Sequence, residues 1–321
     1  MTSASPFPDS RAQRFTLGEW NTRASVRVSE HTYALPADLE HQLQTRYWFP
    51  PAFLPYLNHP SIEAAGQSTL HRLSANHLVY FLDYTTLLEH RIVNRAVETI
   101  VHGELDLNIP QRMKTAALQL YTDEGFHALF SNSLAEQIAR FYGITQRPVM
   151  PQRITRLNAL LAQTPDRHSA LAWFLVGFVS ETIIARELLD VCRESLVTSV
   201  QEMLRDHLTD EARHSRYFSE VFHYLWLTLT SSQRTFAARL LVDIIQVFFE
   251  VDERWLKESL HSAGLSAACI ADILGGLTGI QAVVQRARSG AGATLQALRN
   301  AGFFDLRSNQ LLFTQAGLLD G

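Results

Sequence analysis

From Ser68 onward, apolar residues recur at three- and four-residue intervals, and no stretch alternates apolar with polar residues as a half-buried strand would. That period commits the chain to an all-α fold built mainly of long helices. It predicts helices over 68–102, 110–142, 151–163, 166–191, 195–228, 231–261, 266–285 and 290–301. The breaks fall at Gly103 to Pro110, Gly143 to Pro151 and Thr164-Pro165, and Ser231-Ser232 stands where the next helix wants a cap. Residues 1–60 hold seven of the eleven prolines, which predicts an irregular N-terminal arm with one short helix near 37–46. The SGAG run containing Gly290 and Gly292 reads as a flexible hinge; no strand precedes it, so it is not a phosphate loop. With no fixed-period repeat, residues 1–321 are expected to form one domain: an arm over 1–60, a bundle of long helices over 68–228, and C-terminal helices over 231–321.

The charge balance narrows the partners. Charged residues make up 19% of the chain and the net charge is −4, which leaves no basic footprint for nucleic acid and no acidic tail. The start, MTSASPFPDSRAQRF, lacks the basic n-region and the apolar h-region of a signal peptide. The longest apolar stretches, such as Ala170 to Val179, are too short and too interrupted to cross a bilayer, so no membrane partner is expected. Two cysteines, Cys192 and Cys269, cannot build a disulfide framework or a cysteine-rich zinc site; in apolar helical surroundings they read as inert thiols, which fits a cytoplasmic protein.

The chemistry begins at HLTDEARH, residues 207 to 214, which sets His207, Glu211 and His214 at offsets of zero, four and seven. At about 100° per residue these lie within roughly 60° of one another, on one narrow stripe. Leu204, Leu208, Phe218 and Leu225 put apolar bulk on or beside that stripe, so the polar groups point inward, where they need partners or a metal. YTDEGFH supplies a second Glu-x-x-His pair, Glu124 and His127, matching Glu211 and His214. Two such pairs on two long helices, with one glutamate from each of two others, is the dimetal pattern of carboxylate helix bundles.

Helical geometry selects the two remaining carboxylates. Glu89 is flanked by Leu82, Thr86, Ile92, Val93 and Ala96, whereas Glu98, nine residues on, turns about 180° away. Glu181 follows LAWFLVGFVS and has Gly177, Phe178, Ile184 and Ala185 a turn away, an inward position with space beside it. Glu187 is rotated by about 120° and accompanies Arg186 and Asp190, as an exposed stripe would. Glu89 and Glu181 therefore complete the set. Glu220 and His223 also form Glu-x-x-His, but nine residues past the first pair they face the opposite side of the helix, and a structural or surface role is expected. Four carboxylates with imidazoles suit iron or manganese better than zinc thiolate or calcium oxygen sites. Phe81, Tyr84, Tyr121, Trp173, Phe174 and Phe178 are expected to wall the pocket around them, with Ala185 contributing a small apolar surface.

On these residues the chain resembles the p-aminobenzoate N-oxygenase family of ferritin-like diiron enzymes. The resemblance covers about residues 70 to 230 at motif level, and its most specific feature is the third histidine, in His-x-x-x-Glu-x-x-His at 207–214. It implies a ferritin-like four-helix bundle with additional helices, two iron ions, and dioxygen as co-substrate. Carried over by position, it implies Glu89 terminal on one iron with His127, Glu124 and Glu211 as bridges, and Glu181, His207 and His214 on the second iron. It also implies oxidation of a primary amine to a hydroxylamine, nitroso or nitro product, in secondary metabolism and often as a homodimer. Two departures bear on substrate, the first being Ala185, one turn after Glu181, small and apolar where the family would place a polar substrate contact. The arylamine-oxidising members place an arginine about one turn before the first glutamate, and Tyr84 stands there in this chain; Arg91 and Arg95 follow Glu89 on other faces. That points away from aminobenzoate and towards an aliphatic, amino-acid-derived or carrier-tethered amine. No flavin or nicotinamide motif occurs, so an external electron donor is expected. The alternatives for such a centre are C–H hydroxylation or desaturation, and non-catalytic ferritin-like iron binding.

Overall fold

In the computed structural model, residues 15–30, 32–145 and 147–320 are described. The helices are α1 (Trp20–Arg23), α2 (Ser25–Val28), α3 (Leu39–Gln42), α4 (Pro60–Ala64), α5 (Gln67–Leu88), α6 (Asn94–Val101), α7 (Gln111–Tyr142), α8 (Gln152–Ala162), α9 (Ser169–Val191), α10 (Thr198–Thr228), α11 (Ser231–Phe248), α12 (Glu253–Ser262), α13 (Ala267–Thr278), α14 (Ile280–Gly290), α15 (Gly292–Asn300) and α16 (Arg307–Gln315). No strand forms among the described residues, where Tyr47 and Leu196 make an isolated bridge. The protein is an all-α, ferritin-like bundle. Helix α5 pairs with α7 and α9 with α10, while α6 lies against both α7 and α9 and so ties the two pairs together.

The first long helix is continuous over its predicted length but not regular. A π turn over Glu89–Val93 joins α5 to α6, and the Asn94 amide bonds back to the Glu89 carbonyl. Such turns re-aim side chains locally and are frequent at functional sites. Predicted helix 231–261 is two helices, because Asp252 caps α12: its Oδ1 accepts from the Trp255 amide at 3.0 Å, and its Oδ2 from the Gln152 amide at 2.8 Å. Predicted helix 266–285 bends by 55° at Gly279. The cap before α11 is Thr230, one residue ahead of the serine pair, in a reciprocal capping box with Gln233. At the SGAG run α14 ends and α15 begins; Gly290 is a close contact, where a Cβ would run into the Phe249 ring, whereas a Cβ at Gly292 meets nothing within 4 Å. Helix α16 was not anticipated; its nine residues are too few to show a period. Of the expected arm, residues 1–14 lie outside the described residues; from Phe15 to Ala64 the chain forms the short turns α1 to α4 with two 3-10 turns at Pro51–Phe53 and Pro55–Asn58.

The helical stretch Asp166–Val191 is long and apolar enough to span a bilayer, which its short apolar runs did not suggest, but 78% of its most apolar window is buried inside the protein. It is apolar all round because it is the central helix of the bundle. Gly177 is the point of closest approach. A Cβ there would sit 2.5 Å from the Ala96 Cβ and 3.2 Å from the Phe218 ring, so the glycine brings α6 onto α9. Overpacking costs about 1–3 kcal/mol and the better helix propensity of alanine returns about 1 kcal/mol. Gly177→Ala is therefore expected to lower the thermal midpoint, whereas Gly276→Ala, where a Cβ meets nothing within 4 Å, should hold or raise it; a calorimetric scan of both variants checks this.

Candidate metal centre

Four helical segments deliver the seven residues to one place. The π turn presents Glu89, α7 presents Glu124 and His127, α9 presents Glu181, and α10 presents His207, Glu211 and His214. None is more than 3% exposed. Two overlapping groups have ligand atoms mutually within 4.8 Å: Glu89, His127, His207 and Glu211, and Glu124, His127, Glu211 and His214. Glu181 approaches the second group, with its Oε2 3.6 Å from His214 Nδ1. His207 lies nearer the π turn than its expected place beside Glu181. Its Nε2 lies 2.8 Å from Glu89 and 3.4 Å from Glu211, so it stands at the Glu89 end and not beside Glu181. The π turn brings Glu89 to it, a shift that ideal helical angles cannot show.

The donor set fits a pair of cations. Glu89 Oε2, both oxygens of Glu124, His127 Nδ1, Glu181 Oε2, His207 Nε2 and Glu211 Oε2 are buried with no hydrogen-bond partner. Orphaned polar atoms in a dry core are costly, and converging oxygens and nitrogens are what a metal satisfies. Four carboxylates and three imidazoles match the mixed oxygen–nitrogen preference of iron or manganese.

Taken alone, these groups settle their charges among themselves. Burial pushes Glu89 up to about 7 although the facing His207 pulls the other way. Burial and the neighbouring Glu211 and Glu124 charges hold Glu181 well above the usual carboxylate range. Glu211 lies well below that range: burial opposes this, but the His214 charge and the close imidazoles of His127, His207 and His214 outweigh it. For His207 burial disfavours the charged form, yet Glu89 and Glu211 raise it to about 9. His127 and His214 are also raised, against burial, by the surrounding carboxylates.

Behind the ligands lies an arrangement that the sequence reading missed. His214 Nε2 is 3.0 Å from Asp123 Oδ2, and His127 Nε2 is 3.0 Å from Asp210 Oδ2. Each aspartate thus supports the histidine of the opposite helix. The signal was present in the repeat Thr-Asp-Glu-x-x-His, at 122–127 and again at 209–214. Trp20 Nε1 donates to both oxygens of Asp123 at 2.9 Å, and the Ser25 amide reaches Asp210 at 3.1 Å.

The expected pocket residues scatter. Tyr121 is 40% exposed, on a stripe with Leu118 and Leu129, because it falls a residue past the inward row of Leu120, Glu124 and His127; it is not a pocket wall. Phe178 is stacked on Phe222 at 4.5 Å and Phe81 packs on Phe49 at 5.5 Å, both as core residues. Ala185 is half-buried and Tyr84 is buried. A cleft of about 810 Å³ lies elsewhere, between α5, α12 and α13, with Asn76, Tyr80 and Trp255 in its wall. Tyr84 nevertheless has a cation. The Arg153 guanidinium of α8 sits 4.7 Å from the Tyr84 ring and 5.7 Å from that of Phe248. Glu187, expected on an exposed stripe, is half-buried, with its carboxyl raised by burial against the pull of Arg153. Glu98 pairs with Arg95 at 3.7 Å, Glu220 accepts from the Phe15 amide, and His223 faces the Asn300 carbonyl. Both cysteines are free; burial pushes the Cys192 thiol up to about 11.

A helical bundle that buries two Glu-x-x-His pairs with a glutamate from each of two further segments belongs to the ferritin-like carboxylate class. More narrowly, residues 18–263 match the model of the P-aminobenzoate N-oxygenase AurF family, and the chain belongs to that family. Membership implies an oxygenase, and the buried histidine and glutamate groups fit a diiron centre.

Metal binding must displace the protons described above. With His207 at about 9 and Glu89 at about 7, both hold protons below those values and release them to a cation. Affinity for ferrous or cobaltous ion should therefore rise with pH, by at least about tenfold per unit below pH 9 for one displaced proton. Anaerobic titrations from pH 6 to 9, with an indicator dye reading proton release, check this; a flat profile would contradict the charge distribution.

Proposed function

We propose that the protein is a non-haem diiron N-oxygenase that uses dioxygen to oxidise a primary amine to a hydroxylamine, nitroso or nitro product. The observation that carries this reading is the convergence of seven buried donors with unpartnered oxygens and nitrogens, within a chain of the N-oxygenase family. Glu89, His127 and His207 would hold one iron, Glu181 and His214 the other, with Glu124 and Glu211 between them. The bound iron pair supplies two-electron reduction of dioxygen in one encounter. The chain itself supplies a dry, orienting enclosure: Phe130 lies 5.3 Å from the His127 ring and 5.5 Å from that of His207, keeping water from the Glu89 end. Electrons come from an external donor, and the working form is taken to be a cytoplasmic homodimer.

The substrate reading shifts with Arg153. A guanidinium does approach Tyr84, that of Arg153 from α8, and the buried Tyr84 hydroxyl has no hydrogen bond of good geometry; in this reading Arg153 takes the part of the arginine absent before Glu89. This supports an amine that also carries an acidic group, free or on a carrier, over a purely aliphatic one. The test is to load apo-protein with ferrous iron, reduce it, and expose it to oxygen with a panel of aryl, aliphatic and amino-acid amines, reading N-oxygenated products by mass. Turnover of none of them, with C–H oxidation of acyl or hydrocarbon substrates in its place, would overturn the proposal. Within the panel, Arg153→Met should raise KM for acidic amines by about 10- to 100-fold, the worth of one charge-assisted hydrogen bond, and leave neutral amines nearly unchanged.

A further inference from the structure

We propose that the turns α1 and α2 form a positioning strap for the metal-binding histidines, and that its two anchors act on different ends of the centre: Trp20 through Asp123 on His214, and Ser25 through Asp210 on His127. This rests on the diiron reading above. The geometry is the same at both anchors. His214 turns Nδ1 towards Glu124 at 2.9 Å and Glu211 at 3.1 Å, and gives its Nε2 to Asp123 at 3.0 Å. His127 turns Nδ1 towards Glu211 at 3.3 Å and Glu124 at 3.6 Å, and gives its Nε2 to Asp210 at 3.0 Å. An imidazole whose far nitrogen donates to a carboxylate keeps its near lone pair aimed at the cation, with ring orientation and tautomer fixed together.

The aspartates must themselves be held, since both are fully buried. Asp123 takes the Trp20 indole N–H on both oxygens. Asp210 takes the Ser25 amide at 3.1 and 3.2 Å, the Ser25 hydroxyl, and Arg213. Without these donors each carboxylate would lose part of its solvation in a site that water does not replace. Next along the chain, Ser29 at 3.0 Å and Tyr33 at 2.7 Å bind Asp206, which extends the strap along α10. Trp20 and Ser25 reach no metal-facing atom; they are positioning residues.

The two ends are separable. His214 belongs with Glu124 and Glu181, while His127 also reaches the Glu89 and His207 group. Losing a partner behind a ligand lowers metal affinity by about 10- to 100-fold. The test is anaerobic cobalt titration of the full-length apo-protein, followed by its visible bands and by calorimetry. Wild type should bind two equivalents. Trp20→Phe should leave one equivalent unchanged and weaken the other about 10- to 100-fold, and Trp20→His, which keeps a ring N–H, should recover much of the loss. Ser25→Ala should weaken the opposite equivalent by less, because the backbone donor remains, and Ser25→Thr should bind as wild type. In combination, Trp20→Phe should add little to Glu181→Gln but add fully to Glu89→Gln. Two equivalents at wild-type affinity in both Trp20→Phe and Ser25→Ala would overturn the strap, as would equal losses in Trp20→Phe and Trp20→His. If Trp20→Phe fails to fold, the Ser25 series decides the same question. A wild-type protein that binds no cobalt would instead remove the dimetal reading itself.

Discussion

A carboxylate withdrawn from water into a protein core costs several kcal/mol unless something answers its charge, and this bundle withdraws four at one spot. Three imidazoles among them answer only part of that charge, and unpartnered oxygens remain on all four glutamates. The fold is arranged around this demand. The long helices converge there, the backbone departs from the α-helix there, and both aspartates behind the histidines are buried for its sake. Replacing the cluster with leucines would suit a stable bundle better; its presence marks a site built for binding and not for stability.

Helix periodicity made much of this legible. Glu124 with His127, and His207, Glu211 and His214, were readable because a regular helix fixes relative bearings, and α7 and α10 are regular over those residues. The nearness of His207 to Glu89 was not, because the π turn at Glu89 alters the bearing of that side chain. Glu187 misled for a related reason: it stands beside charged neighbours on α9, yet it is half-buried and feels the charge of Arg153 from another helix. Tyr121 looked like a pocket wall through proximity in sequence to Glu124, although one residue's rotation sends it outward.

Tertiary partners were beyond the reach of spacing arguments. Arg153 meets Tyr84 because α8 crosses α5, and Trp20 meets Asp123 because the strap crosses α7. Asp123 and Asp210 were different: their repeat was visible, but an aspartate preceding a ligand reads as surface charge until the crossed pairing to the opposite histidine is known. Gly177 and Gly290 are places where two surfaces touch, which spacing along the chain cannot show.

The strap has a consequence for how the molecule is made. It leaves the ribosome before either of its anchors: Asp123 follows Trp20 by 103 positions and Asp210 follows Ser25 by 185. Closing contacts so distant in sequence carries an entropic cost met late in folding. A nascent chain must therefore extend well past α9 before its histidines can be clamped, and a cation arriving sooner would find a pliant, half-assembled cradle.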